Sequence, residues 1–280
     1  QEAIPGIANE LLYAQELLPQ VTLQEINETV AKVIPDQQKK LVVFMGAEPK
    51  AGASVPTQQQ LLDAVAQAER QKVEPRTERV LASKLMDGPP AGGSIVAEKF
   101  NSAIGVTELT LGNGVRVLLK PTDFKNDQVL MGSTRFGGQS LFGDADIYNA
   151  RYASAVVGSM GLKDLAPLDL QKVLAGKTVN VGASLGELSE GFGGSASSAD
   201  VEAMLQLVTL YFHDVRKDAG LYQSFIGKQQ DLAKNSMAQP EAVFYDAVQH
   251  ATFGDSPRVD GVPRAADFDK VGLERSLEIF

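Results

Sequence analysis

The stretch YNARYASAVVGSMG, residues Tyr148–Gly161, decides how this chain folds. Its small and apolar residues are spaced as in a helix that packs against neighbours on nearly every side. It contains no His, Glu or Cys, so it offers neither a metal ligand nor a group that moves a proton at neutral pH. The sequence therefore predicts a buried, chemically inert helix that follows a glycine-rich strand, QVLMGSTRFGG (residues 128–138).

The segments around this helix predict an α+β domain. Asn113-Gly114 lies between alternating apolar residues, which predicts a β-hairpin whose two turn positions both need a positive φ. Residues 178–186 and 187–197 predict two further strands. The central helix should begin near Asp144, whose carboxylate would cap it. With helices near 169–175, 198–215, 221–235 and 239–252, the order β-β-β-α-α-β-β-α-α-α predicts a mainly antiparallel sheet covered on one face by helices.

The first 49 residues predict two helices and a strand. Residues 6–19 form the first helix, and Thr22 with Glu25 has the spacing of a capping box for a second helix that stops at Pro35. LVVFMG (residues 41–46) has the composition of a buried strand. These elements are too few for a core of their own, so we expect residues 1–49 to be the end of a preceding domain.

The chain is expected to contain three further parts. Residues 50–103 are predicted to be an interdomain connector with helices, one starting at Thr57 and a short one after Pro75, and a joint, DGPPAGGS, at residues 87–94. An irregular subdomain is the alternative for this part. Residues 104–257 would form the main domain, and residues 258–280 the start of another.

Composition limits the possible functions. The 280 residues carry 26 Lys and Arg against 35 Asp and Glu, a net charge of −9, which argues against nucleic acid as a partner. The absence of cysteine excludes disulfides, zinc ribbons and cysteine nucleophiles. No apolar run reaches the roughly 18–20 residues that span a membrane, and no signal peptide is evident. Because the sequence starts with Gln1 and ends within a predicted helix, we expect a fragment of a longer chain.

Two glycine-containing motifs have possible chemistry. Gly182-Ala183-Ser184-Leu185-Gly186 matches the G-x-S-x-G pattern of serine hydrolases, but that motif needs a helix directly after the serine, and a strand is predicted here. Gly191-Phe192-Gly193-Gly194 resembles a phosphate-binding loop but lacks the P-loop Lys and Ser/Thr. Glycines within a strand more often permit a bulge or a close backbone approach.

The titratable residues give no recognisable site. His213 and His250 are the only histidines and lie in no metal-binding spacing, so we expect them at helix C-termini, where they interact favourably with the helix dipole. The remaining candidates are four carboxylates that could pair in a cleft but are more often solvated: Asp144, Asp146, Glu187 and Glu190.

Three stretches together carry a family resemblance: NGVRVLLKPTDFKNDQVLMGSTRFGGQSL, YNARYASAVVGSMGL, and the run from DLQKVLAGKTVNVGASLG to ADVEAMLQLVTLYF. They resemble the second, non-catalytic half of bacterial periplasmic zinc proteases of the insulinase/pitrilysin family. The resemblance covers most of residues 104–280. Residues 17–46 are similar to the last helices and strand of the domain before it.

The resemblance implies where zinc would and would not bind. In that family the first half carries a His-x-x-Glu-His motif on the first helix after the opening strands. The corresponding helix here is Tyr148–Gly161, and the ligand positions fall at about Ala150, Ala153 and Ser154, none of which binds zinc. Catalytic, cofactor-binding and metal-binding residues are therefore expected to be absent from this chain. The family's substrate-contacting Arg and Tyr lie further along, and Arg151-Tyr152 is not that pair, because adjacent helix residues point in different directions.

The resemblance thus implies a non-catalytic part of a zinc-dependent endopeptidase. It would help enclose a peptide or small-protein substrate, with zinc in the missing half of the same chain and a periplasmic location. The chain alone is predicted to be inactive, and whether the whole protein is an enzyme is left open. Two alternatives stay open: a non-enzymatic scaffold or core subunit of the same fold, and a serine hydrolase that uses Ser184.

Overall fold

The computed structural model describes residues 4–33, 41–46, 54–74, 84–259 and 261–280. The chain divides into two compact units, Gln1–Glu78 and Arg79–Phe280. The described part of the first unit forms three helices: α1 (Ile7–Leu17), α2 (Leu23–Val33) and α3 (Gln58–Arg70).

The two predicted helix starts in the first unit are confirmed. The Thr22 backbone N–H donates to Glu25 Oε2 (2.8 Å) and the Glu25 N–H donates to Thr22 Oγ1 (3.2 Å), which is a capping box. Thr57 and Gln60 form the same arrangement at the start of α3. None of the described residues of this unit is buried.

The predicted strand at residues 41–46 is wrong. This segment has no strand pairing, and Leu41 and Met45 are about nine-tenths exposed. A strand needs a neighbour to take up its backbone hydrogen bonds, and the described part of the first unit contains no strand. The predicted stop at Pro35 and the helical piece after Pro75 lie outside the described residues.

The second unit begins with a three-stranded antiparallel sheet. Its strands, in the order β1-β2-β3, are β1 (Ile95–Asn101), β2 (Val106–Leu111) and β3 (Arg116–Leu119). The sequence placed β1 in the connector, where no strand was predicted. The segment before it, residues 87–94, is irregular as predicted.

The hairpin between β2 and β3 is confirmed, but its turn type differs from the prediction. Only Gly114 has a positive φ, of 85°. Leu111 and Val115 are joined by a backbone hydrogen bond (2.9 Å), and the Gly114 N–H donates to the Leu111 carbonyl (2.8 Å). The loop therefore has three residues with a left-handed glycine last, a geometry that needs a positive φ at that glycine alone.

A second antiparallel sheet contains four strands: β4 (Val129–Gly132), β5 (Arg135–Phe136), β6 (Val179–Leu185) and β7 (Ser189–Ala196). β7 is central, with β6 on one side and both β4 and β5 on the other. The predicted strand at 128–138 is thus divided at Ser133, whose N–H donates to the Phe192 carbonyl (2.8 Å) and whose Oγ accepts from the Phe192 N–H (2.8 Å).

Six helices of the second unit complete the described fold: α4 (Ile147–Met160), α5 (Pro167–Val173), α6 (Val201–His213), α7 (Ala219–Ser236), α8 (Pro240–Phe253) and α9 (Leu273–Ile279). α4 and α6 pack on the second sheet. Asn180, Gly182 and Ser184, on the other face of β6, stay exposed. The predicted α+β fold is confirmed, with two sheets where one was expected.

α4 is the centre of the core, as its sequence predicts. Val156 and Met160 are fully buried in a cluster with Tyr222 of α7 and with Phe268 and Val271 from the chain end. Further residues of α4 join Leu185 of β6 and Ile279 of α9 in a second cluster. One helix thereby holds together a sheet strand, α7 and the final segment of the chain.

The start of α4 differs from the prediction. A 3₁₀ turn at Asp144–Asp146 precedes the helix, and neither this turn nor α4 begins with a side-chain cap hydrogen bond. Both carboxylates are instead paired with arginines from the last 25 residues, since Asp144 binds Arg258 and Asp146 binds Arg275. The predicted domain boundary at residues 257/258 stays a prediction.

Candidate functional site

The place where a metal would be expected on α4 is filled with apolar side chains. Ala150 and Ala153 are completely buried and pack with Ile279, and three further apolar residues surround them: Phe142, Leu185 and Phe280. Ser154 is half-buried, and its Oγ has no hydrogen-bond partner among the described residues. A methyl group cannot donate an electron pair to a metal and a serine hydroxyl is not among the usual zinc ligands, so these residues do not fit a zinc ion.

The rest of the described chain gives no alternative metal site. Its described residues contain no group of three or more His, Cys, Asp or Glu side chains that could hold a metal ion. His213 and His250 lie in the last turns of α6 and α8, as predicted. His250 Nδ1 lies 2.8 Å from Asp255 Oδ1 in the loop that follows its helix.

The four candidate carboxylates do not form an acid–base pair. Asp144, Asp146 and Glu190 each contact an arginine, at 2.7, 2.6 and 3.4 Å, while Glu187 lies exposed in the turn between β6 and β7. Hydrogen bonds from Arg275 lower the pKa of Asp146. A carboxylate held ionised by an arginine makes a poor general acid, so the geometry of Asp146 does not favour acid–base chemistry there.

Ser184 is an ordinary strand residue. It lies in β6, its Oγ is 3.3 Å from the Gly191 carbonyl to which it donates, and a tight turn into β7 follows it. The nucleophile of a hydrolase elbow is instead held at a strained turn between a strand and a helix. The geometry therefore does not support a serine nucleophile at this position.

The glycine run in β7 serves close backbone approach. A Cβ on Gly191 would lie only 1.9 Å from the Ser133 carbonyl oxygen, and one on Gly194 would lie 2.8 Å from the Asn180 carbonyl oxygen. Gly193 between them has nothing within 4 Å of the corresponding position. Gly191 and Gly194 thus allow the neighbouring backbone to approach closely, which agrees with the close approach expected for glycines within a strand.

A cleft of about 850 Å³ lies between the start of α4, the end of α8 and the loop after α8. Arg151 donates from Nη2 to the Pro257 carbonyl (2.8 Å), and Tyr152 packs against Phe268 with the ring planes tilted by 47° and the centroids 4.9 Å apart. Two ion pairs lie in the lining, Arg264 with Asp246 and Lys270 with Asp267, while Asp144 is paired with Arg258 outside it. The lining therefore carries charges of both signs.

Among the described strands, β6 lies at the edge of the second sheet. Hydrogen bonds from the Ser197 N–H to the Thr178 carbonyl (2.9 Å) and from the Gly186 N–H to the Ser189 carbonyl (2.8 Å) fix which residues face β7. In an antiparallel ladder the intervening residues point their backbone groups the other way. The residues directed outward are Val179, Val181 and Ala183, and β6 pairs with β7 alone among the described strands.

Comparison with known proteins gives a consistent result. No family model matches the chain. An Arabidopsis thaliana protein described as "Zinc protease PQQL-like" is 26% identical over 285 residues, which cover all of this chain and 27% of that protein. The predicted resemblance to insulinase-family zinc proteases of the PqqL type is confirmed. The chain spans about a quarter of the length of this relative.

Solved structures of PqqL-type proteins share the fold. The periplasmic protease PqqL from Escherichia coli matches with a TM-score of 0.60 and 15% identity over 80% of this chain and 24% of its own. A mutant of the ferredoxin protease FusC, solved in complex with Arabidopsis ferredoxin, matches with a TM-score of 0.60 and 16% identity, over 81% of this chain and 25% of its own. These likenesses, at such low identity, concern the fold.

Sequence reasoning missed the long-range contacts around α4. Arg258 and Arg275 lie more than 110 residues from their aspartate partners. No local pattern pairs residues at that separation. The apolar residues of β1, Ile95, Val96, Ala97 and Phe100, do not alternate along the strand, so no strand pattern marked it in the sequence.

Proposed function

We propose that this chain is a non-catalytic part of a zinc-dependent endopeptidase. The observation that carries the proposal is the similarity to a zinc protease along the entire chain, which corresponds to only 27% of that relative. In this proposal the zinc and its catalytic base belong to another part of a longer polypeptide. The chain itself supplies part of the wall of a chamber that encloses the substrate.

The central helix α4 is consistent with a chain that shapes the chamber while another part of the polypeptide binds the zinc. α4 packs on β6 and α9, and the two residues at the expected ligand positions that face inward, Ala150 and Ala153, are alanines. Such a helix positions neighbouring elements without performing chemistry. It is consistent with a wall that shapes the chamber.

The substrate in this proposal is a peptide or small protein held in extended form. The outward backbone groups of Val179, Val181 and Ala183 can form hydrogen bonds with an added strand, which recognises the substrate main chain and not its side chains. The E. coli PqqL is described as periplasmic, and we extend that location to this protein. Among the described residues no helix is long and apolar enough to cross a membrane.

Peptide cleavage tests the proposal. The purified 280-residue chain with added zinc should not hydrolyse quenched fluorescent peptides, whereas the protein from the complete reading frame should, with loss of activity on chelation. Chelator-sensitive turnover by the 280-residue chain alone would contradict the proposal. A complete reading frame without a His-x-x-Glu-His motif would favour the non-enzymatic scaffold subunit instead.

A further inference from the structure

Helix α8 buries one carboxylate and exposes an arc of apolar residues to solvent. Within α8, all of which the structure describes, Asp246 is the only buried residue. Its carboxylate accepts hydrogen bonds from Arg264 Nη2 (2.5 Å) and from the Val262 N–H (3.3 Å). The helix is therefore attached to the body through charged and polar contacts, the reverse of an ordinary surface helix.

The outward side of α8 is a continuous apolar stripe. At 100° per residue, an arc of about 140° that begins about 60° from Asp246 and includes Pro240 at the helix start contains only apolar residues, all of them exposed. We name this surface the α8 stripe: Val243, Phe244, Ala247, Val248 and Ala251. Phe244, within this arc, is 72% exposed.

Leaving such a stripe in water is unfavourable, because apolar area gains free energy when it is covered. The stripe is nevertheless small. An aromatic side chain buries about 150–250 Å² and the other four residues are small, whereas a stable homodimer needs about 800 Å² from each partner. A second copy would have to find most of its contact area elsewhere.

An element of the same polypeptide that covers the stripe does not need as large a contact area as a second copy would. Contacts within one chain form at a high effective concentration, so a small apolar interface is sufficient. The similarity to a relative nearly four times as long leaves room for such an element. The α8 stripe carries no charge, so its partner surface must be apolar too.

From these observations we infer that the α8 stripe is an intramolecular interface, covered by an apolar face of another part of the same longer polypeptide. This inference rests on the proposed function in one respect, namely that the chain is part of a longer protein. The covering element fixes α8 and, through Asp246, the loop that lines the cleft. Neither the substrate nor a second copy occupies the stripe.

Cysteine labelling tests this directly, because the chain contains no cysteine. Ala247→Cys places a thiol on the stripe, and Ala155→Cys, on the exposed side of α4, is the matched control. In the 280-residue chain both thiols should react with a maleimide at similar rates. In the protein from the complete reading frame, labelling at position 247 should slow at least tenfold relative to denatured protein, while the 280-residue chain keeps its fast rate.

Fast labelling at position 247 in the folded longer protein would overturn the inference. Protection of position 247 in the 280-residue chain that increases with its concentration would also overturn it, in favour of a second copy. Phe244→Ser provides an independent measurement, since it should lower the Tm of the longer protein and leave the Tm of the 280-residue chain unchanged. An equal effect on both would contradict an intramolecular interface.

The labelling experiment and the peptide-cleavage experiment can fail independently of each other. A longer protein that cleaves peptides with zinc but labels rapidly at position 247 removes this inference alone. A longer protein without zinc-dependent cleavage, but with position 247 protected, removes the protease and keeps the interface. A reading frame that ends with these 280 residues removes both.

Discussion

Arg275 donates two hydrogen bonds to Asp146, from Nε to Oδ1 at 2.9 Å and from Nη2 to Oδ2 at 2.6 Å. The pair joins α9 to the start of α4 across 129 residues of sequence. Next to it, Asn149 Oδ1 accepts the Gly272 N–H (2.7 Å). The final segment of the chain is therefore fixed to the helix that organises the core.

Asp146→Asn should reduce stability at neutral pH and remove one part of its acid sensitivity. Hydrogen bonds from Arg275 lower the pKa of Asp146 in the folded state. The carboxylate therefore stabilises the fold above its unfolded pKa, about 3.9, and that contribution is lost as the pH falls through the lower folded value. Urea unfolding at pH 7, 4 and 3 should show that the difference in unfolding free energy between wild type and variant becomes smaller as the pH falls. A difference that is constant over this range would contradict the assignment.

Ala153→Leu should destabilise the second unit by about 1–3 kcal/mol or more, because Ala153 is fully buried and three additional carbons need space in a filled core. Ala155→Leu on the exposed side of the same helix is the control and should change the free energy of unfolding by less than about 0.5 kcal/mol. Chemical denaturation measures both. Equal effects would mean that α4 is not packed as described.

Gly191→Ala should be strongly destabilising, and Gly193→Ala should not. A methyl group at position 191 would overlap the Ser133 carbonyl, a backbone atom that cannot rotate away, at a cost of roughly 1–3 kcal/mol or more. Position 193 has open space and no positive φ, so alanine there should be neutral or slightly stabilising. Thermal unfolding of the two variants, which differ only in position along β7, should give clearly different Tm values.

Tyr222→Phe should cost about 0.5–1.5 kcal/mol, because the hydroxyl of Tyr222 donates to the Val271 carbonyl (2.5 Å) in the core. Burial raises the pKa of Tyr222, so the folded state favours the neutral phenol. The stabilisation from this raised pKa is complete below the pKa of tyrosine in the unfolded state, about 10, and is lost as the pH rises through the pKa of Tyr222 in the folded state. Unfolding at pH 8 and 10.5 should show a smaller loss for the variant than for wild type. Tyr211, whose pKa burial also raises, would still contribute in both proteins.

The elements of the second unit were predictable where a local pattern determines them. The apolar spacing of α4, α6 and α7 and the alternation of β6 and β7 involve residues within a few positions of each other, as does the capping box at Thr22 in the first unit. The absence of His, Glu and Cys from α4 was also evident, because it depends on residue identity alone.

Two of the errors concern a bonding partner that the neighbouring sequence does not supply. Asp144 was expected to cap α4, but Arg258 binds it with Nε at 2.7 Å from Oδ1. LVVFMG has strand composition, but a strand forms only where a second strand takes up its hydrogen bonds. β1 was overlooked because its apolar residues do not alternate along the strand.

The division of β4 from β5 at Ser133 has a consequence for how this sheet could evolve. Ser133 supplies both a carbonyl against Gly191 and a hydroxyl to the Phe192 N–H, so any larger residue at position 191 requires a rebuilt kink on the adjoining strand. The two sites are therefore expected to change together among descendants of this sequence. A paired deep mutational scan of positions 133 and 191 would show that dependence as viable double variants whose single counterparts fail.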